Sequence, residues 1–270
     1  MKTILVTGAT DGIGRATALA LGEQGARVLV HGRTRDKAEG VAAQLAQQSG
    51  HDRFEAVAGD FANLAEVRAL AAEVSRRHRA LDVLINNAGI FAAERALSAD
   101  GFELTLAVNH LAPFALTHLL LPSLVESGHG RVINVSSMVH NRGRIDFEDL
   151  DLARAYDGYG AYAASKLMNV LFTHELARRL EGRAVVVNAL HPGVIGTKLL
   201  RGGFGSMGGA EVSRGAVGEV RLAIDPALEG VSGGYFDMGR ESTASKASHD
   251  RELQRRLYAV SLERTGVTAA

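Results

Sequence analysis

Thr7-Gly8-Ala9-Thr10-Asp11-Gly12-Ile13-Gly14 closes a short apolar run and leads into a helical pattern. Its glycines stand at 8, 12 and 14. Between a strand and a helix each has a physical use. Gly8 permits a tight turn, Gly12 lets backbone approach a pyrophosphate, and Gly14 lets the helix lie close to the sheet. The helix N-terminus then offers unpaired N–H groups to phosphates. Such a loop, taken alone, also describes a plain turn. Its place directly after the N-terminal strand favours dinucleotide binding, with Gly8, Asp11, Gly12, Ile13 and Gly14 as candidate contacts.

The same alternation continues outward. After residues 4–7, apolar and β-branched runs recur at 27–31, 54–58, 83–86, 131–136 and 184–190. Short runs that are apolar at consecutive positions read as strands buried on both faces. Helix-like segments lie between them at 14–25, 35–48, 64–79 and 162–180, with Gly25 and Gly50 as stop signals. Strands alternating with helices predict an α/β fold: a doubly wound parallel (Rossmann) sheet in three α/β/α layers, one domain over 1–270. Residues 234–237 would add a last strand. No internal repeat or linker is visible. The glycine-rich stretch 202–209 reads either as a surface loop or as a substrate lid.

Composition narrows the function classes. A chain of 270 residues, 46% hydrophobic, can bury a sizeable core. Its 30 basic and 30 acidic residues cancel, so nothing electrostatic recommends nucleic acid or an anionic membrane. There is no cysteine, which excludes disulfides and thiolate chemistry. The first apolar run is too short for a signal peptide. No stretch reads as the roughly 18–20 apolar residues of a membrane span. The expectation is a soluble cytoplasmic protein.

The second strand ends Val30-His31-Gly32-Arg33-Thr34-Arg35. A NAD-selective site usually has a carboxylate here, roughly 20 residues past the loop, for the ribose 2′-OH. Asp36 falls into the next helix. Arg33 stands where a 2′-phosphate would be gripped by a charge-assisted fork, with Arg15 or Arg35 as helpers. The pattern points to NADP, with NAD as the alternative. Asp60-Phe61 and Asn86-Asn87-Ala88-Gly89 follow the third and fourth strands, where ligands bind in open α/β sheets. Each also reads as an ordinary cap or turn.

Among five tyrosines, only Tyr162 has a lysine four residues on, Lys166. On a helix the two share a face. Tyrosine ordinarily titrates near 10, too high for efficient proton exchange at neutral pH, and a nearby ammonium lowers that value. Ser136 and Ser137 end the fifth strand, where a hydroxyl could hold a substrate oxygen or simply form a turn. Asn109 sits inside a predicted helix that it suits poorly, free to pair with backbone groups or waters. His191-Pro192 reads as structural. No His, Asp or Glu cluster has metal-ligand spacing.

The ordered set of these motifs resembles the short-chain dehydrogenase/reductase family of the classical type, over nearly the whole chain. It comprises Thr7-Gly8-x-x-x-Gly12-Ile13-Gly14, Asp60, Asn86-Asn87-Ala88-Gly89, Asn109, Ser137, Tyr162-x-x-x-Lys166 and Pro192-Gly193-x-x-x-Thr197. The resemblance implies Tyr162 as general acid/base. Lys166 would lower the tyrosine pKa and bind the nicotinamide ribose. Ser137, rather than Ser136, would position the substrate oxygen. Asn109 would hold a relay water. Asp60 and Phe61 would lie near the adenine. Asn87, Ala88, Gly89, Ile195 and Thr197 would surround the ribose and carboxamide. Such proteins usually pair through the helices bearing Asn109 and Tyr162, so a homodimer or homotetramer is expected.

Ser137 precedes Tyr162 by 25 residues, where the usual spacing is about a dozen. That insertion is similar to the retinol-dehydrogenase-like branch. His191-Pro192-Gly193, Gly234-Tyr235-Phe236 and Ala177-Arg178-Arg179-Leu180 point the same way. The chain opens on its first strand, so a soluble member without a membrane anchor is expected, and the retinol substrate is not carried over. The expected activity is hydride transfer between NADP(H) and an alcohol or carbonyl compound. A non-catalytic NADP-binding sensor or scaffold is the alternative. The substrate walls would come from about 90–100, 138–161 and 198–225, with Phe91, Met138, Phe147, Tyr156 and Phe204 as an apolar lining.

Overall fold

The computed structural model describes residues 1–205 and 208–270; the Phe204 side chain also lies outside the described part. The lining expected of Phe204, and the part of the glycine-rich stretch at Ser206 and Met207, therefore fall outside the described residues.

The chain runs β1 (Thr3–Val6), α1 (Gly12–Glu23), β2 (Arg27–Gly32), α2 (Arg35–Ser49), β3 (Phe54–Ala58), α3 (Leu64–Arg77) and β4 (Val83–Asn86). Then come α4 (Leu104–Leu106), a π-helical turn (Ala107–Leu111), α5 (Ala112–Glu126), β5 (Gly130–Val135) and a 3-10 turn (Met138–Arg142). The rest is α6 (Gly158–Arg179), β6 (Val185–His191), α7 (Lys198–Phe204), α8 (Val212–Ile224), β7 (Tyr235–Asp237), β8 (Arg240–Ser242) and α9 (Arg251–Thr265). The sheet order is β3-β2-β1-β4-β5-β6-β7-β8. Every pairing is parallel except β7 with β8.

The consecutive apolar positions of the strands are shared between two cores. Leu5, Leu29, Leu84, Val132 and Val187 join Val67, Leu70, Phe114 and Phe172 from α3, α5 and α6. Their neighbours Ile4, Val6, Val28, Val30 and Ile133 join Leu21, Val41, Leu45 and Leu222 from α1, α2 and α8. This is the period-2 alternation of a strand with both faces covered. Truncating one of these buried leucines to alanine costs about 2–5 kcal/mol. From β1 the chain winds outward through β2 and β3, then crosses back to β4. The switch leaves a crevice at the carboxyl ends of β1 and β4.

Several expectations change. β8 carries no apolar run, because its three residues lie exposed at the sheet edge. The glycine-rich stretch is helical at its start, where α7 reaches Phe204. One continuous helix, Leu104–Glu126, is long and apolar enough to span a membrane, contrary to the composition reading. Of its 18-residue apolar window 89% is buried within the protein, as the core helix of a sheet layer would be.

The insertion before α6 also differs from a simple pocket wall. Ile145, Phe147 and Leu150 pack with Leu106, Leu167, Leu171 and Leu257. Phe147 lies under the Arg256 guanidinium, 4.3 Å from it, and is spent on this satellite core. Tyr156 donates to the Ala92 carbonyl at 3.0 Å, strutting one loop against another. Helix α9 closes the same side, packing on α6 and α5. The helices expected to form a subunit interface are therefore largely covered within the chain.

Candidate active site

The cofactor end is built where β1 and β4 meet. Gly8 has φ +65°, and a Cβ there would sit 2.9 Å from Ala88 Cα. A Cβ on Gly14 would collide with Asn87 Nδ2 at 2.4 Å and with the Gly8 carbonyl at 2.6 Å. Gly14 thus makes room for the β4 loop rather than for the sheet. Thr7 Oγ1 accepts the N–H groups of Asn87 and Ala88, both at 3.0 Å. Asn87 Nδ2 donates to the Thr7 carbonyl at 2.7 Å. The Asn87 amide nitrogen is therefore anchored on β1.

Asp11 caps α1, its Oδ1 accepting the Gly12 N–H at 2.8 Å. Lys198, at the start of α7, pairs with its other oxygen at 2.7 Å. The Lys198 ammonium first, and then the Gly12 N–H, hold Asp11 below the usual carboxylate range. Thr197 lies across the loop: a Cβ on Gly12 would be 3.4 Å from its Cγ2. Ile13 and Ile195 converge on Gly215 of α8. Asp60 Oδ1 accepts the Ala62 N–H at 3.0 Å, and Phe61 stacks on His31 with centroids 4.6 Å apart.

Arg33 is exposed and has no hydrogen bond or ion pair among the described residues. Arg35 is not a helper. Its guanidinium donates to the Ala56 carbonyl at 2.9 Å and to Glu73 at 2.6 Å. A carboxylate 38 positions away in sequence claims it.

At the carboxyl end of β5, Ser137, Tyr162 and Lys166 meet. Ser137 hydrogen-bonds the Tyr162 hydroxyl through its side chain. Ser136 turns away, donating to the Lys166 carbonyl at 2.8 Å. Lys166 Nζ lies 5.5 Å from the Tyr162 ring centroid and donates to the Val135 carbonyl at 3.0 Å. Gly89 lies beside Lys166 and Asn109: a Cβ there would sit 3.4 Å from Lys166 Nζ and from Asn109 Oδ1. Asn109 is fully buried in the π-helical turn. Its Oδ1 accepts the Ile90 N–H at 2.8 Å, while Nδ2 donates to the Ile90 carbonyl at 2.9 Å and to Ser165 at 3.0 Å. The side chain is thus held in place by protein groups on both its oxygen and its nitrogen. Phe91 faces the tyrosine, ring centroids 6.0 Å apart.

A model of the short chain dehydrogenase family matches residues 2–203. The chain belongs to the short-chain dehydrogenase family. Within it, the chain is retinol-dehydrogenase-like. It is 41% identical to mouse Retinol dehydrogenase 14, over 98% of this chain and 86% of that one. To human Retinol dehydrogenase 13 it is 39% identical, over 99% and 86%. Among solved structures, an uncharacterized protein from Mycobacterium Paratuberculosis superposes with TM-score 0.83 at 34% identity, over 99% of this chain and 94% of that one. A Shigella flexneri short chain dehydrogenase complexed with NADP gives 0.73 at 26% identity, over 88% and 96%.

For a short-chain dehydrogenase the electrostatics of this pair carry a correction. Burial raises the Tyr162 phenol above its ordinary value, and the Ser137 hydrogen bond only partly offsets it. The expected lowering by Lys166 is not realised, because the ammonium is turned onto Val135. Burial also pulls Lys166 down to about 8, opposed by the charge of Glu219.

Three further residues of this short-chain dehydrogenase escaped the sequence reading. Thr7, on the apolar run, turned out to be the splice between β1 and β4. His31, two positions before Arg33, bridges the loop and β3. Glu219 on α8 is fully buried, accepts Thr17 Oγ1 at 2.8 Å, and has no partner for Oε1 among the described residues. Burial pushes its carboxyl up to about 8. Its spacing from Ala216 and from Leu222 and Ala223 puts a carboxylate on the buried stripe, a signal that was legible.

Proposed function

We propose that this short-chain dehydrogenase interconverts an apolar alcohol and its aldehyde or ketone, using NADP(H), with Tyr162 carrying the proton. One observation carries the proposal: the Ser137 side chain meets the hydroxyl of a single buried tyrosine, Tyr162, with Lys166 Nζ 5.5 Å from its ring centroid and beside Gly89. The residues fit a dinucleotide. The Gly8–Gly14 loop turns at the N-terminus of α1, Gly89 lies beside Lys166, and Arg33 offers a guanidinium with no partner among the described residues.

Gly8, Gly12, Ile13 and Gly14 would hold the pyrophosphate, and Asp11 would order the loop. Asp60 and Phe61 would flank the adenine, with Arg33 on the 2′-phosphate. Asn87, Ala88 and Gly89 would form one wall around the nicotinamide ribose, and Ile195 and Thr197 the other. The bound nicotinamide supplies or accepts the hydride. The protein manages the proton. Ser137 orients the substrate oxygen toward Tyr162, which donates its proton during reduction and recovers it during oxidation. Lys166, swung from Val135 toward the ribose and phenolate, would stabilise the ionised tyrosine. Asn109 would keep Ile90 and Ser165 in place around that lysine.

An apolar substrate is supported by Phe91 beside Tyr162 and by Met138, 53% exposed, directly after Ser137. The names of the relatives agree with an apolar alcohol. The test is turnover of NADPH and NADH with nonanal, retinal and cyclohexanone, and of the oxidised cofactors with the matching alcohols. NADPH consumption with an apolar carbonyl is expected. Tight NADPH binding without turnover of any compound would favour a sensor and overturn the proposal.

A further inference from the structure

His140 lies three residues beyond Ser137 in the 3-10 turn and is 1% exposed. Its Nε2 accepts the backbone N–H of Ser245 at 3.0 Å. A backbone N–H can only donate, so Nε2 carries no proton. The proton is then on Nδ1, which donates to the Ser137 carbonyl at 2.8 Å. Only this neutral tautomer satisfies both partners. The ring also lies against Tyr235 of β7, centroids 4.9 Å apart.

We propose that His140 is a positioning residue for Ser137: it tethers the Ser137 carbonyl to the segment leading into α9, and so holds the Ser137 hydroxyl on Tyr162. The far end of the tether is firmly moored. Ser245 caps the 3-10 turn Lys246–His249. The Ser248 carbonyl in that turn faces His174 Nδ1 of α6 at 2.9 Å and accepts Gln254 of α9. The near end is otherwise light. The Ser137 side chain accepts the Val139 N–H at only 3.4 Å, and its carbonyl takes the His140 N–H at 3.0 Å. Without the ring, the serine would be set by a single short turn. This role rests on the oxidoreductase function proposed above.

The link can be cut without touching the buried ring. Ser245 has φ −58°, which proline adopts, and proline has no N–H to give. Ser245→Pro removes the donor to His140, while Ser245→Ala removes only the capping hydroxyl. Both are compared with the unaltered protein for kcat and KM with nonanal, NADPH Kd and Tm. Ser245→Pro is expected to lower kcat/KM for nonanal roughly tenfold relative to Ser245→Ala, through a misplaced serine. NADPH Kd and Tm are expected to match those of Ser245→Ala. Equal kcat/KM in the two variants would overturn the role. So would a parallel loss of NADPH binding or Tm, which would mark the tether as structural only. Absence of turnover in the unaltered protein would overturn the proposed function and this inference with it.

Discussion

The Nδ1 atom of His31 accepts the N–H of Gly8 at 3.1 Å, while its Nε2 faces the Gly59 carbonyl at 3.0 Å. One neutral ring therefore ties the glycine-rich loop to the end of β3. Burial holds His31 at about 4 against an ordinary 6.5, and it does the same to His110 and His118. Stability from these neutral rings is complete above pH 6.5 and lost as pH falls through about 4. Each ring is expected to contribute on the order of 3 kcal/mol to that loss. Urea unfolding from pH 7 to 4 checks this, and His31→Leu is expected to flatten the slope. The variant should also cost about 1–3 kcal/mol at neutral pH for the orphaned Gly8 N–H.

Tyr162→Phe removes the proton and leaves the ring. Turnover is expected to fall roughly 10²–10⁴-fold. NADPH affinity, read by fluorescence titration, is expected to stay nearly unchanged. Substantial activity in the variant would remove Tyr162 from the proton step.

Arg33 and Arg35 are two positions apart and have opposite surroundings. Arg33→Asp is expected to weaken NADPH roughly 10–100-fold while sparing NADH, as loss of a hydrogen bond to a charged group would. Arg35→Ala is expected to lower Tm and leave the NADPH-to-NADH ratio alone, since its guanidinium holds Glu73 and Ala56. Equal effects of Arg33→Asp on both cofactors would exclude a 2′-phosphate contact.

Glu219 titrates in the opposite sense to His31. Its folded value of about 8 lies above the ordinary 4.5, so the buried acid is most stable when protonated. That contribution is full below pH 4.5 and is lost as pH rises through about 8. Glu219→Gln keeps the shape and cannot ionise. It is expected to match the natural protein near pH 5 and to exceed its stability by a few kcal/mol near pH 9. Chemical denaturation at the two pH values measures the difference.

What the sequence reveals here follows the range of the interaction. The parallel sheet was readable because each strand is apolar at consecutive positions, a local property. Tyr162 and Lys166 were readable because one helical turn separates them. The capture of Arg35 by Glu73 was not, since α2 and α3 must first be folded against β3. Asn109 was noticed as a poor helix former, yet which groups its amide would take depended on Ile90 and Ser165, far away in sequence. The lowered tyrosine pKa failed for a similar reason: the i, i+4 pattern puts lysine on the right face but says nothing of the Val135 carbonyl that competes for it. Residues 240–242 gave no strand signal because an exposed edge needs no apolar side chains.

Helix α9 brings its own intramolecular consequence. Tyr258 gives its hydroxyl proton to His118 Nε2 at 2.7 Å, stacks edge-on to Phe114, and lies under the Arg179 guanidinium at 4.0 Å. These contacts cover one side of α5 and α6 from within the chain. Self-association through the faces that α9 covers would require that helix to be displaced. Sedimentation is expected to find a monomer. Deleting residues 251–270 would bare Phe114, and the shortened protein is expected to self-associate.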